Sequence, residues 1–333
     1  MSEAVDIDKP AKRRNLVFFA LKAMVSLGLI FYLLYAQVDN VDDIWAAIYS
    51  ADPVLLLAAF LLHTMGYLLC SWRWQILLKA QGVFVPLIEL ARAYTIGIFF
   101  NSFLPGVMSG DFMRALDISD RLPSYTKSLM ILFVERLTGM FGLLVLALGA
   151  LPLIGWENVI ATGIGWVLAF VAVGLFVIYS LFLSPRLQLL IKHFMRLPFV
   201  HVFASILTKI SETSRIFADR KKPVYICALI SVAFQANVVL HFYLIGTALG
   251  FDLGLIYYFA IIPVSLFIMI IPASINGIGI REQIFIFLFG YFAVPAAAAV
   301  SLAWIALAMV MVQAIVGGIL FALRRKAKHM QTV

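Results

Sequence analysis

The chain is predicted to be an all-α polytopic membrane protein, with about six to eight transmembrane helices and two re-entrant, Pro/Gly-broken hairpins in an inverted repeat. Three observations carry that expectation. Of 333 residues, 64% are hydrophobic and only 13% charged, where soluble domains run near half apolar and a quarter charged. Apolar runs of ~20 residues, enough to cross a hydrocarbon core of ~30 Å, recur along the chain. Alternating polar-in strands are absent from it, so the spans are helices rather than a barrel. Mean hydropathy is +1.03.

The net charge of +8 lies in tails and loops. In a membrane protein that pattern sets orientation and attracts anionic lipid at the cytoplasmic face; it does not indicate nucleic acid. Residues 1–14 form a polar tail ending in Lys12-Arg13-Arg14. Span one runs from about Asn15 to Tyr35, and the loop behind it carries Asp39, Asp42, Asp43 and Asp52 without a basic residue. The amino terminus is therefore expected in the cytoplasm. Span two, about Pro53 to Lys79, ends in Trp72-Arg73-Trp74, which reads as an interfacial aromatic belt with snorkelling cations.

Next come mostly apolar residues, Leu87–Leu104, a broken segment, and a charged stretch from Asp111 to Lys127. Both flanks carry cytoplasmic-type charge, which suits a re-entrant hairpin, and such a break survives at membrane depth only inside protein or along a cavity. Span three, about Ser128 to Leu151, carries Glu135-Arg136, and span four, about Ile160 to Leu183, returns inward. Residues 186–222 hold eight Lys or Arg in an i, i+3, i+4 apolar pattern, the signature of amphipathic helices on the inner interface. Span five, about Pro223 to Leu249, carries Gln235, Asn237 and His241. With His63, these are read as interhelical hydrogen bonds. The last span, about Ala296 to Leu323, ends in Arg324-Arg325-Lys326, placing the 324–333 tail in the cytoplasm. Residues 15–323 are thus expected to form one membrane domain. Cys70 and Cys227 both fall inside spans without a CxxC pattern, so neither a structural disulfide nor a metal site is expected.

Two broken segments share a pattern, Pro-x4-Gly-x3-Arg: Pro105, Gly110, Arg114 and Pro272, Gly277, Arg281. Their settings match too. Pro105 lies 52 residues after the start of span two, and Pro272 lies 49 after the start of span five. The next full span begins 23 residues after Pro105 and 24 after Pro272. The two units run in opposite directions, the plan of transporters whose interrupted helices mark the binding site. Charge alone also allows residues 255–271 and 282–292 to be two ordinary spans.

The residues at the breaks suit an anion. Ser109 or Asn276 is placed to cap a helix starting after the glycine, turning free N–H groups and a positive dipole end towards the break. Arg114 and Arg281 fall in the first turns of those helices, and arginine matches phosphate bidentately. Arg114 reads equally as an interfacial cation, and Arg281 as the partner of Glu282. Glu135 and Arg136 lie roughly 10–12 Å into span three and point in different directions, with Arg114 the expected partner of Glu135. The candidate headgroup-binding residues are therefore Asn101, Ser109, Gly110, Asp111, Arg114, Glu135, Arg136, Asn276, Gly277, Arg281 and Glu282. No HExxH, GxSxG, P-loop or paired-carboxylate pattern is present, so no catalytic residue and no cofactor is assigned.

In order along the chain, Asn101-Ser-Phe-Leu-Pro-Gly, then Gly-Asp-x-x-Arg, Glu135-Arg136 and Pro272-x-Ser-x-Asn-Gly-x-Gly-x-Arg-Glu resemble the lysylphosphatidylglycerol synthetase transmembrane-region family, or flippase-like domain. The resemblance covers roughly residues 15–323. It implies a lipid translocator acting on a phosphate-bearing membrane lipid, in a bacterial cytoplasmic (inner) membrane, working alone, as a homo-oligomer or beside a lipid-pathway enzyme. The alternative it leaves open is an integral-membrane enzyme or accessory subunit of a glycolipid, polyprenyl-phosphate or hopanoid pathway. In fused relatives a soluble domain makes the aminoacylated lipid. Only ten residues follow the last span here, so lysyl transfer is not expected of this chain. Many relatives carry Gly-Gly before the Asp, where this sequence has Met108-Ser109-Gly110.

Overall fold

The computed structural model describes residues 24–35, 38, 41–103, 109–119, 121, 125–155, 157, 163–183, 221–270 and 277–330. The described residues form eleven helices and no strand, as the composition requires. They are α1 (Met24–Tyr35), α2 (Val41–Ser50), α3 (Pro53–Ala80), α4 (Leu87–Phe103), α5 (Ser109–Ser119), α6 (Tyr125–Ile154), α7 (Ile164–Leu183), α8 (Lys221–Ala248), α9 (Leu255–Met269), α10 (Ile280–Gly290) and α11 (Ala296–Met330). Four helices, α3, α6, α8 and α11, are long and apolar enough to cross a membrane. The chain is an all-α integral membrane protein. The amphipathic segment expected at 186–222 lies almost wholly outside the described residues, as do residues 104–108 and 271–276.

Span limits read from hydropathy fall within a few residues of the helices, except that α11 continues to Met330 instead of stopping at Leu323. Local chemistry sets the ends. Asp52 caps α3, its Oδ1 accepting from the amides of Val54 (2.8 Å) and Leu55 (3.3 Å), and Pro53 occupies the first turn, where a missing N–H is harmless. Gly82, at φ +78°, closes α3. The Gly82 amide donates to Lys79 O (3.0 Å) and the Val83 amide to Leu78 O (3.1 Å), a Schellman ending that needs a left-handed residue.

The same ending recurs 168 residues later. Gly250 also has φ +78°. Its amide donates to Thr247 O (3.0 Å), and that of Phe251 to Gly246 O (2.9 Å). This fixes the register of a repeat: α3, α4, α5 and α6 correspond to α8, α9, α10 and α11. Their lengths are 28, 17, 11 and 30 residues against 28, 15, 11 and 35.

Packing follows the correspondence. α4 lies on α11 as α9 lies on α6; α5 packs on α4 and α6 as α10 packs on α9 and α11. The two leading helices, α3 and α8, pack on each other. They run antiparallel, since His241 meets Ala59 O (3.0 Å) while Ser231, earlier on α8, meets Arg73 (2.7 Å), later on α3. At 1.5 Å per residue the short pairs, α4 with α5 and α9 with α10, span about 16–26 Å per helix, short of a ~30 Å core. The largest core gathers inward faces of α6, α7, α8, α9, α10 and α11, among them Leu168, Val239, Ile261, Phe285 and Ala303. A second core, with Trp74, Leu77, Leu90, Ile118 and Ile131, holds α3, α4, α5 and α6 together beneath the first broken segment.

Candidate functional site

The first-half site begins with two glycines. A side chain at Gly110 would put Cβ 2.2 Å from Gly97 O, and one at Gly97 would meet Arg114 Cγ at 3.0 Å. Their absence lets α5 lie against α4 backbone to backbone. Asn101, on α4, then reaches across, and its Oδ1 accepts the Gly110 amide at 2.7 Å. This differs from the expectation that Ser109 caps the helix. Ser109 lies inside α5, and its Oγ donates to Phe100 O at 2.9 Å. Because α4 and α5 touch so closely, a residue of the neighbouring helix is nearer to the amide than the local hydroxyl.

On that platform five ionised side chains interlock. Arg114 Nη2 meets Glu135 Oε2 at 2.7 Å, and its Nη1 meets Asp111 Oδ1 at 3.3 Å. The other oxygen of Glu135 accepts from Arg73 Nη2 at 3.1 Å. Arg73 Nη1 donates in turn to Ser231 Oγ on α8 at 2.7 Å. Asp111 Oδ2 accepts from Arg136 Nε at 2.6 Å and also pairs with its Nη2. Glu135 and Arg136 therefore do point apart, and Glu135 does meet Arg114. The flat faces of the Arg114 guanidinium lie against Trp74 and Tyr94, with its carbon 4.4 and 4.3 Å from the ring centroids.

Burial gives these contacts their weight. Arg73, Asp111, Arg114 and Glu135 are 3–6% exposed. Removing such charges from water costs several kcal/mol per ion, offset only when the pairing is close to complete. Three arginines and two carboxylates leave the cluster with one net positive charge. The exposed member is Arg136, whose side chain is 43% accessible. Arg114 has both edges occupied and only Nε without a partner, which makes it a girder of the cluster more than an open anion ligand.

The second-half site is smaller. Gly277 and Gly279 sit at φ +75° and +86°, a left-handed region that side chains resist. Glu282 Oε2 accepts the Gly279 amide at 2.7 Å, and its Oε1 meets Arg281 Nη2 at 3.0 Å. Arg281 is 7% exposed and Glu282 1%, so the pair foreseen as one reading of Arg281 is present and buried. α10 starts at Ile280, four residues beyond Asn276, which lies outside the described residues. The two clusters are built by different helices.

Sequence reasoning missed Arg73 and Trp74, read as parts of an interfacial belt. Only Trp72 fits that reading, at 46% exposed, while Arg73 is 5% exposed and Trp74 fully buried. The signal available was arithmetic: a carboxylate deep in span three between arginines demands more than one partner. The residues assigned to interhelical bonding do that work. Gln235 Nε2 donates to Gly139 O at 3.1 Å, and His241 Nδ1 to Ala59 O at 3.0 Å. His63 stacks on His241 with ring centroids 4.6 Å apart.

No curated protein matches the chain. The family described as the lysylphosphatidylglycerol synthase TM region matches residues 19–327, nearly its whole length, and the chain belongs to that family.

Proposed function

We propose that the protein moves a phosphate-bearing lipid between membrane leaflets, with a headgroup site at each of the two broken segments. One observation carries the reading: a buried five-ion cluster with net positive charge, exposing a single arginine, at the start of a helix too short to cross the membrane. A charge held inside a membrane protein is costly and marks a substrate path. Irregular backbone at that depth belongs to a cavity wall. Membership of a membrane-lipid family agrees with both.

In the first half, Arg136, Asn101, Ser109 and the α5 amino terminus face the headgroup, while Asp111, Arg114 and Glu135 hold them in place. In the second, Asn276, Gly277 and Arg281 play that part, with Glu282 fixing Arg281. Both hairpins enter and leave on one side, the first from the cytoplasm and the second from outside. The termini are cytoplasmic, and the site is a bacterial inner membrane. No reacting group is needed, since the protein supplies a polar path in place of the hydrocarbon.

Purified protein in liposomes, with labelled anionic and zwitterionic phospholipids on one leaflet, tests this. Metal-independent, headgroup-selective movement is expected, reduced in Arg136→Gln and Arg281→Ala. Absence of movement for every phosphate-bearing lipid would overturn the reading.

A further inference from the structure

A cavity of about 270 Å³ opens between the start of α4 and the end of α5. Its rim carries four charges: Glu89 and Arg92 from α4, Asp117 and Arg121 from α5. Its floor is apolar and buried, with Leu90 at 0% and Ile118 at 3% exposure. Glu89 Oε2 and Arg121 Nη2 are 2.7 Å apart, each about half exposed at 48% and 45%. This is a hydrated pair that exchanges partners at little cost. The cavity adjoins the buried cluster. Asp117 and Ile118 lie one turn beyond Arg114 on α5, about 5 Å along the axis, and Tyr94, which covers Arg114, follows Ala93 of the cavity wall. Beside it Ile88 and Leu116 are 76% and 53% exposed, an apolar flank suited to acyl chains.

The repeat supplies a control. Counted in its register, the residues corresponding to Glu89, Arg92, Asp117 and Arg121 are Tyr257, Ala260, Ile284 and Leu288. A fold that uses one packing twice has charged this spot at one end only, the end that the basic loops place in the cytoplasm.

We infer that this cavity receives an amine-bearing, zwitterionic phospholipid headgroup from the inner leaflet. The inference rests on the translocator reading and names its substrate class and loading side. Two guanidinium groups suit the phosphate and two carboxylates accept from the ammonium. Their zero sum favours neither an anionic headgroup lacking an amine nor a bare cation.

The test is photocrosslinking from benzoylphenylalanine at Leu116, with the full chain in nanodiscs holding phosphatidylethanolamine, phosphatidylcholine or phosphatidylglycerol. Phosphatidylethanolamine should crosslink best, and Asp117→Asn or Arg92→Gln should cut its yield about tenfold, the loss of one charge-assisted hydrogen bond. A melting curve for each variant separates lost binding from lost fold. Equal yields for the three lipids, a preference for phosphatidylglycerol, or a preference untouched by both substitutions would overturn the inference. No lipid crosses in this experiment, so its outcome is independent of the liposome assay. Selective capture without movement would reject translocation alone; movement without selectivity would reject this cavity alone.

Discussion

The two halves share a packing plan and differ in how they handle charge. In the first, Arg114 is held by two carboxylates and two aromatic rings, and the cluster draws in a helix from the other half through Arg73 and Ser231. In the second, Arg281 is held by its neighbour Glu282. The register explains the difference. Asp111 corresponds to Ile278, Tyr94 to Ile262, and residues 300–306 of α11, at the depth of Glu135 and Arg136, carry no charge. The Arg73–Ser231 contact maps onto His241 and His63, the stacked pair. The same crossing of α3 and α8 is thus bridged by an ion pair network on one side and by two imidazoles on the other. Duplicated geometry does not require duplicated chemistry: one half can anchor while the other stays free to change.

Breaking the anchors should expose that asymmetry. Glu135→Gln strands two buried arginines and should cost about 3–5 kcal/mol of stability, read as a lowered unfolding midpoint in detergent. Glu282→Gln strands one, and should cost about 2 kcal/mol, the scale of a hydrogen bond to a charged group. Equal losses would mean that the two halves are anchored alike.

The glycines sharpen the comparison. Gly110→Ala drives Cβ into Gly97 O, backbone against backbone, and should cost about 3 kcal/mol as α5 is pushed off α4. At Gly277 the nearest obstacle is Met269 Cε at 2.8 Å, the end of a flexible side chain. Gly277→Ala meets mainly its φ of +75°, about 1–2 kcal/mol. Asn101, which crowds Gly110, and Met269 are 168 residues apart, so this is one contact seen twice. Ser231→Ala, smallest of the set, removes one buried acceptor from Arg73 and should cost about 1 kcal/mol.

These contrasts also mark what the sequence made legible. Spans were readable because hydropathy over ~20 residues reports a bilayer-sized need. Pro105, Gly110 and Arg114 were readable because breaks and charges stand out in an apolar chain, and the Glu135–Arg114 pair followed from both being deep in the membrane. Arg73 was not, because three adjacent residues near a span end look the same whether they face headgroups or α8. Only the helix rotation separates exposed Trp72 from buried Trp74. Asn101 as a cap was hidden for a related reason: its partner amide is nine residues away and comes close only because Gly97 and Gly110 let two helices touch. The near-equal proline intervals hinted at the repeat, and the matched Schellman endings at Gly82 and Gly250 set its register.

The most direct test of the two-halves account is sidedness at four positions, each a single cysteine in a background lacking Cys70 and Cys227. Gln81 and Arg121 flank the first short pair, α4 with α5; Asp252 and Ala293 flank the second, α9 with α10. Membrane-impermeant thiol reagents applied to cells and to inverted vesicles report which face each occupies. The account predicts that positions 81 and 121 label only from the cytoplasm and positions 252 and 293 only from outside. Labelling of 252 and 293 from opposite faces would contradict it, making α9 and α10 ordinary spans and the second hairpin a crossing.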